Sequence, residues 1–452
     1  MIKKILIANR GEIALRIMRT CRRLGIQSTA VFSEADAKAP FVKYADESVP
    51  IGPSVPTQSY LVIEKIIEAA KKTGCEAIHP GYGFLAENAD FAGACARADL
   101  VFIGPTPETM NALSDKQAAR SVMAKAGLPV IPGSSGNVSD IDEARAVADA
   151  IGYPVIVKAS FGGGGIGMTV VENPDKLAKA MKKASQRAER AFSRGEIYIE
   201  KVVPQTHHIE FQVMADGYGA AATVFERECS VQRRQQKVIE ESPSPFVTDE
   251  LRREMSEKIA RVAAEIGYKN AGTFECLVDG DRNWYFLEIN MRLQVEHPVT
   301  EMVTGLDLVE HQIRIAGGEA LSEDIIAAKS MGHSIEARLY AEDPAKKFLP
   351  RPGTIEKLVY PQMEGLRVDG GVETGSVVTP FYDPLIAKVV ALAPSRDEAA
   401  DKLAEALEKT VILGLETNRE FLVKALRHPV FRSGVYTTAF IGDHLDELIR
   451  EG

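Results

Sequence analysis

The run GGGGIG, residues 162–167, constrains this chain more than any other stretch. It fits the dinucleotide fingerprint G-x-G-x-x-G letter for letter. That pattern has physical content only where a strand precedes it and a helix begins on its last glycine, so that free helix N–H groups face a pyrophosphate. Here YPVIVK (153–158) is a β-branched strand upstream and MTVV (168–171) is strand-like downstream, and the turn ENPD (172–175) opens a helix at Lys176. The loop joins strand to strand, so the nicotinamide or flavin reading fails on context. A glycine-rich strand–loop–strand unit brings bare backbone N–H groups to phosphate oxygens and can hinge over a nucleotide. Four consecutive glycines, each costing about 0.5–1 kcal/mol against alanine in ordered structure, weigh against a slack surface hairpin. The expectation is a lid over a nucleotide's phosphates.

The surrounding chain divides into three. Residues 1–113 alternate strand and helix, with strands near 5–8, 28–32 and 77–79 and helices near 10–24 and 60–72. Such alternation predicts a doubly wound parallel sheet. Within it HPGYGFLAEN (79–88) is a turn ordered by Tyr82 and Phe84, either a stiff structural turn or a site lining. Residues 114–331 open with a helix (114–126) and contain a mobile lid unit at 131–203, whose covering helix is 175–192 and whose closing strand is 195–203. Period-2 strands come next at 209–214, 222–226, 272–278 and 284–289, around a helix at 249–266. Residues 332–452 place strands near 334–340, 353–359, 366–368 and 385–392 before a helix at 396–409. The predicted class is α/β and α+β: a doubly wound N-terminal domain, a lidded central domain and a mixed C-terminal domain.

Net charge is −9 with no basic block, which excludes nucleic acid as the expected partner. No apolar run approaches the ~20 residues needed to span a bilayer. The five cysteines form no C-x-x-C pair and no ligand spacing with histidine, so a zinc site is not expected and a reducing cytoplasm is.

The chemistry concentrates in one hairpin and the segment directly after it. TFECLV (273–278) and WYFLEIN (284–290) are joined by the turn DGDRN (279–283). Side chains alternate along a strand, so Glu288 and Asn290 share one face, with Glu275 across the hairpin near Glu288. Two carboxylates and an amide oxygen in one place repel unless a cation sits among them. Oxygen donors suit Mg²⁺, which also takes phosphate oxygens. The plainer reading is an exposed face of scattered acids, with Phe274, Cys276, Leu287 and Ile289 forming the buried one. Lys116 and Lys158 flank the glycine run and offer point charges to phosphate. In GEIYIEKVV (195–203), backbone groups of Glu200, Lys201, Val202 and Val203 could bond an adenine edge. In NMRLQVEHPVTEMVTG (290–305), Arg292, Gln294 and Glu296 project to one side if the segment is extended. They would make a pocket for a small planar oxyanion, with Arg292 holding two oxygens and Glu296 acting as a base. A structural Arg292–Glu296 ion pair is the alternative.

On these residues the chain resembles the biotin carboxylases, the ATP-grasp components of biotin-dependent carboxylases. The likeness runs from KILIANRGEIA (4–14) through HPGYGFLAEN, the glycine run, CSVQRR (229–234), QKVIEE (236–241) and LEINMRLQVEHPVTE (287–301). It continues through EARLYAEDP (336–344), FLPRPG (348–353) and YDPLIAK (382–388), and RLQVEHPVTE is its most specific part. The resemblance implies an ATP-grasp fold and a ligase in which ATP phosphorylates bicarbonate to carboxyphosphate. This falls to CO₂ and phosphate, and CO₂ adds to the N1′ nitrogen of biotin. Carried over by position, Lys116, Lys158, Gly164, Gly165, Glu200, Lys201, Val202, Val203, His208, Gln232, Gln235 and Leu277 would contact ATP, together with Glu275 and Glu288. Glu275, Glu288 and Asn290 would bind Mg²⁺ or Mn²⁺. Lys237, Arg292, Gln294 and Val295 would hold bicarbonate, Glu296 would deprotonate it, and Arg338 would stabilise the biotin enolate.

Three positions depart from the family's pattern. Gln235 stands where a histidine often follows the two arginines, and Ile166 and Thr169 stand where arginines are frequent, so less positive charge is expected over the phosphates. No lysine lies between two methionines; the nearest string, Met181-Lys182-Lys183, falls in a predicted helix. The resemblance therefore implies biotin on a separate carrier protein, a separate carboxyltransferase subunit and a homodimer. Two competing readings are another ATP-grasp ligase, which would not need the R-L-Q-V-E run, and a nucleotide sensor, which would lack a metal ligand or the base.

Overall fold

In the computed structural model, residues 2–160, 168–192 and 194–450 are described; Gly164, Gly165 and Ile166, with the rest of the glycine run, lie outside them. Near the N-terminus, five parallel strands run in the order Glu47–Gly52, Gln27–Ser33, Lys4–Ile7, Ala77–His79, Val101–Phe102. Residues of the Lys4–Ile7 strand alternate between two cores. Ile5 and Ile7 pack with Ile13 and Ile17 on one face, whereas Leu6 packs with Tyr60, Ile66 and Phe91 on the other. A sheet covered on both faces reads as a continuous apolar run, which is why KILI does. The 79–88 turn is ordered as its aromatics suggest: Phe84 stacks on Tyr60 at 5.0 Å, and Tyr82 donates to Glu12.

The lid unit is a three-stranded antiparallel sheet in the order Thr169–Val171, Val155–Ala159, Ile197–Lys201, backed by helices Ile141–Ile151 and Leu177–Phe192. Val155, Val157, Val171, Leu177 and Ile199 make its core, closed off from the others.

Apart from three two-stranded pairs in the C-terminal region (Glu342–Asp343 with Leu349–Pro350, Gly353–Thr354 with Val377–Val378, Lys357–Val359 with Val411–Leu413), the remaining strands form one eight-stranded antiparallel sheet where the sequence suggested a central sheet and a separate C-terminal one. Its order is Trp284–Asn290, Asn270–Val278, His207–Ala215, Ala221–Arg233, Gln236–Ser242, His333–Tyr340, Leu385–Ala393, Leu366–Gly370. Helix Asp249–Glu265 covers one face, burying Met255, Ile259 and Val262 against Phe211, Val213 and Phe274. Helix Arg396–Lys409, opened by a capping box between Ser395 and Glu398, covers the far end with Leu403 and Leu407. Gln236–Ser242, which the sequence reading did not count as a strand, sits mid-sheet and joins the two halves. Among the described residues no helix is long and apolar enough to cross a membrane.

Candidate active site

A cleft of about 980 Å³ opens between the N-terminal sheet, the lid sheet and the eight-stranded sheet, and lid, hairpin and C-terminal strands all contribute to its walls. The hairpin supplies its acidic floor. Glu275 pairs directly with Glu288 and Thr273 with Asn290, as period-2 alternation requires. The next ladder pair is Cys276 with Phe286, so Leu287 is an extra residue, a β-bulge. The bulge corrects one expectation. Phe286 and Ile289 both face the core, whereas Leu287, expected on the buried side, lines the cleft beside Glu288.

Around Glu275 the donors converge. Its Oε1 accepts from Lys237 Nζ at 2.8 Å, Asn290 Nδ2 at 2.9 Å and Gln294 Nε2 at 3.3 Å. His208 Nε2 lies 3.0 Å from Oε2, an ion-pair contact without hydrogen-bond alignment. Burial works against ionisation of Glu275, but Lys237 and His208 outweigh it and hold the carboxyl well below the usual range. Lys237 bridges three carboxylates, at 2.5 Å to Glu210, 2.8 Å to Glu275 and 2.6 Å to Glu296. Against the cost of burial, that cluster keeps its ammonium protonated well above the ordinary lysine range.

Glu296 is fully buried and ends the loop that follows the hairpin, capping helix His297–Thr304. Oε1 takes Lys237, and Oε2 takes Arg338 NH2 at 2.8 Å. Burial opposes its charge; Lys237, Arg338 and Arg227 prevail and hold it well below the usual carboxylate range. Glu296 is therefore ionised at neutral pH. Arg338 also donates from Nε to Glu240 at 2.6 Å, and burial pushes Glu240 up to about 7 despite that contact.

The 291–296 segment is a loop and not an extended strand, so the alternation of Arg292, Gln294 and Glu296 does not put all three on one side. Arg292 and Gln294 do meet, NH1 to Oε1 at 3.0 Å. Arg292's carboxylate partner, however, is Glu87 at 2.9 Å, and its NH2 reaches Asn290 Oδ1 at 3.1 Å. The expected alternative, an Arg292–Glu296 pair, is replaced by these contacts.

The nucleotide candidates line the other half of the cleft. Lys116 begins helix Lys116–Lys125 and meets Glu288 at 2.5 Å; Lys158 meets Glu200 at 2.5 Å. Leu277, Lys201, Val202, Val203, His208, Gln232 and Gln235 line the wall, and Gln232 Nε2 lies 3.3 Å from His208 Nδ1. Glu200 itself is buried behind Lys158, and the Val202 N–H is taken by Pro154 O at 3.1 Å. Gln235, at φ 67°, points its amide nitrogen to Met168 Sδ at 3.3 Å. Val295 also lines the cleft. Glu87, Glu210, Arg227 and Glu240 escaped sequence reasoning. For Glu210 and Glu240 the signal was a carboxylate inside an apolar strand, HHIEFQVMA and QKVIEES.

Family profiles match almost end to end. One described as "Biotin carboxylase, N-terminal domain" covers residues 1–110, "Carbamoyl-phosphate synthase L chain, ATP binding domain" covers 115–324, and "Biotin carboxylase C-terminal domain" covers 336–443. Biotin carboxylase 2 of Bacillus subtilis is 52% identical over 445 residues, covering 98% of this chain and 100% of its own. The small subunit of 2-oxoglutarate carboxylase from Hydrogenobacter thermophilus is 45% identical over 444 residues, covering 98% and 94%. Among solved structures, the biotin carboxylase domain dimer of that carboxylase, in complex with MgADP, ADP and bicarbonate, superposes with a TM-score of 0.95. It is 44% identical, covering 100% of this chain and 99% of that one.

Proposed function

The chain belongs to the biotin carboxylase family, and from that premise we propose how its own side chains divide the work. It is an ATP-dependent ligase that carboxylates biotin with bicarbonate by way of carboxyphosphate, the biotin carboxylase subunit of a biotin-dependent carboxylase. The observation that carries the assignment of roles is the seat of Glu296, one oxygen on Lys237 and the other on Arg338. An ionised carboxylate beside an anion pocket is a base for the bicarbonate proton. Arg292 is held edge-on by Glu87, Gln294 and Asn290, so its guanidinium needs little further ordering to grip a planar oxyanion. With Lys237, Gln294 and Val295 it forms the bicarbonate pocket. Arg338 lies past Glu296, on the side we assign to biotin, where its charge meets the negative ureido oxygen.

Glu275, Glu288 and Asn290 offer two carboxylates and an amide oxygen, hard donors that fit Mg²⁺ or Mn²⁺ and not a softer ion. Such an ion, when bound, supplies charge neutralisation for phosphoryl transfer. We assign ATP to the wall of Lys116, Lys158, Lys201 to Val203, His208, Gln232, Gln235 and Leu277, with Gly164 and Gly165 over its phosphates. The three units proposed to cooperate are 1–113, 114–331 with its lid 131–203, and 332–452. The Hydrogenobacter thermophilus relative is one subunit of a larger carboxylase. We propose the same setting here: biotin on a separate carrier protein, a separate carboxyltransferase subunit, a homodimer and a cytoplasmic location.

The test separates the two half-reactions. Wild type should cleave ATP only with Mg²⁺ and bicarbonate, and faster with free biotin. Glu296→Ala should abolish both ATP cleavage and carboxybiotin. Arg338→Ala should retain bicarbonate-dependent ATP cleavage while carboxybiotin falls on the order of 10²–10³, the usual cost of a positioned donor. Equal loss of both activities in the Arg338 variant would move that residue to the bicarbonate half of the site.

A further inference from the structure

Lys388 is a fully buried lysine on strand Leu385–Ala393, outside every role assigned above. Its strand partners are Arg338 on one side and Asp369 on the other, so two cations lie side by side in one ladder with a carboxylate across the next. Like charges directly opposite one another are unfavourable unless each has its own partner, and the partners differ. Arg338 takes Glu240 and Glu296, while Lys388 Nζ lies 3.2 Å from Glu12 Oε1 and donates to the backbone carbonyl of Val295 at 2.9 Å. Glu12, near the start of helix Gly11–Arg23, is held from the other side by the Tyr82 hydroxyl, and Tyr82 lines the cleft.

The Val295 contact is the unusual part. A buried lysine needs counter-charge, and Glu12, Asp369 and Glu336 around it supply that. The second donor hydrogen goes instead to the peptide oxygen between two residues of the site. A peptide group is planar, so anchoring its oxygen fixes the Cα atoms of both Val295 and Glu296. Val295 otherwise sits in a loop without ladder bonds, between Arg292 and helix His297–Thr304.

We propose that Lys388 is a positioning residue for bicarbonate activation: it pins the Val295–Glu296 peptide to the N-terminal unit through Glu12 and Tyr82, and so aims the Glu296 carboxylate. This rests on the functional reading above. Misplacing a catalytic group by about 1 Å costs on the order of 10² in rate. Among the described residues the nucleotide half of the cleft shares no hydrogen bond or ion pair with Lys388 and should not feel the change.

The experiment uses the full chain with free biotin, and measures KM for bicarbonate, KM for ATP, and kcat for carboxybiotin. Lys388→Met should raise KM for bicarbonate or lower kcat by about 10–10² in combination, with KM for ATP within about twofold. Lys388→Arg, which keeps a donor, should recover part of the loss. Lys388→Met alone leaves Glu12 buried without its cation and can unfold; the pair Glu12→Gln with Lys388→Met removes both charges and carries the measurement in that event. In the pair the bicarbonate defect should persist. A pair that regains wild-type bicarbonate kinetics shows that Lys388 only neutralises Glu12, and overturns the proposal. Wild-type bicarbonate kinetics in Lys388→Met, or ATP and bicarbonate constants that shift together, overturn it as well. A wild-type chain without bicarbonate-dependent turnover overturns the functional reading itself, before any variant is considered.

Discussion

Replacing Lys237 by methionine removes the one ammonium that three carboxylates share, at 2.5, 2.8 and 2.6 Å. The consequences differ among the three. Glu210 retains Arg227 Nε at 2.5 Å and Glu296 retains Arg338 at 2.8 Å, whereas Glu275 keeps His208 at 3.0 Å as its near cation, with the neutral amides of Asn290 and Gln294. Breaking a buried pair from one side costs about 3–5 kcal/mol, because the remaining charge stays buried without compensation. The native state can limit that cost by taking up a proton on Glu275 or Glu210, and this makes the effect pH-dependent. In the wild type Glu275 and Glu296 are held below the usual carboxylate range, so their contribution is complete above the unfolded value and constant between pH 6 and 8. In Lys237→Met the folded carboxyl rises above its unfolded value, the native state binds more protons than the unfolded one, and stability falls as pH rises. One extra proton over two pH units is worth at most about 2.7 kcal/mol, at 1.36 kcal/mol per unit. Urea unfolding followed by Trp284, the only tryptophan and buried in the strand next to Glu275, reads this directly. The variant should lose about 3–5 kcal/mol at pH 8 and recover a large part of it at pH 6. A stability deficit identical at the two pH values would refute the shared-cation reasoning.

Two further outcomes rest on particular contacts. Deleting Leu287 makes the Glu275–Glu288 and Cys276–Phe286 pairs consecutive, so Phe286 and Ile289 stay on the core and Glu288 stays on the cleft. Mg²⁺-dependent ATP cleavage, measured by coupled assay, should persist with a raised KM for ATP, because only the Leu287 side chain leaves the cleft wall; a collapse of the urea midpoint would refute the register. Glu241 accepts from His333 and from Nε and NH2 of Arg396, and these hold its carboxyl down to about 2 against the cost of burial. That stabilisation is present above the ordinary value near 4.5 and is lost as pH falls toward 2, so Glu241→Gln should cost roughly 3 kcal/mol at pH 7. The gap from wild type should close below pH 4.5; a constant gap in acid urea midpoints would sink the assignment.

What the sequence could convey was limited by range. The hairpin of Glu275 and Glu288 was legible because its strands are joined by a five-residue turn and alternate with period two. Helix Arg396–Lys409 was legible to the residue because Ser395 and Glu398 mark its start. The bulge at Leu287 was not, since an inserted residue changes no composition. Strand Gln236–Ser242 is hard to read because a lysine and two glutamates in seven residues break any apolar pattern; in the fold Glu240 and Glu241 are both buried, each on its own cationic partner. Glu210 is hidden in the same way, in a strand buried at all nine positions. Strict alternation of polar and apolar residues signals a half-exposed sheet, and it cannot distinguish one whose polar face closes over a buried charge network.

Placement of the base shows the limit most clearly. Glu296 comes from a loop, Lys237 from strand Gln236–Ser242, Arg338 from His333–Tyr340 and Arg227 from Ala221–Arg233. These three strands are neighbours in the sheet, yet 111 positions separate Arg227 from Arg338 in sequence. Residue types alone named an oxyanion pocket around Arg292 with Glu296 on the same side, and left an Arg292–Glu296 ion pair as the alternative that Glu87 replaces. The likeness to the family supplied Arg338, and only the strand order explains it: Gln236–Ser242 pairs with His333–Tyr340 in a register that sets Glu240 opposite Glu336 and Ile239 opposite Ala337. That register brings Arg338 beside Glu240 and, one side chain further, against Glu296. Lys388, one strand further along the same ladder, reaches the same loop from behind. Charge is thus placed around the base by the sheet's long-range pairing, and a change that shifts one of those registers should disturb bicarbonate chemistry before it disturbs the nucleotide wall.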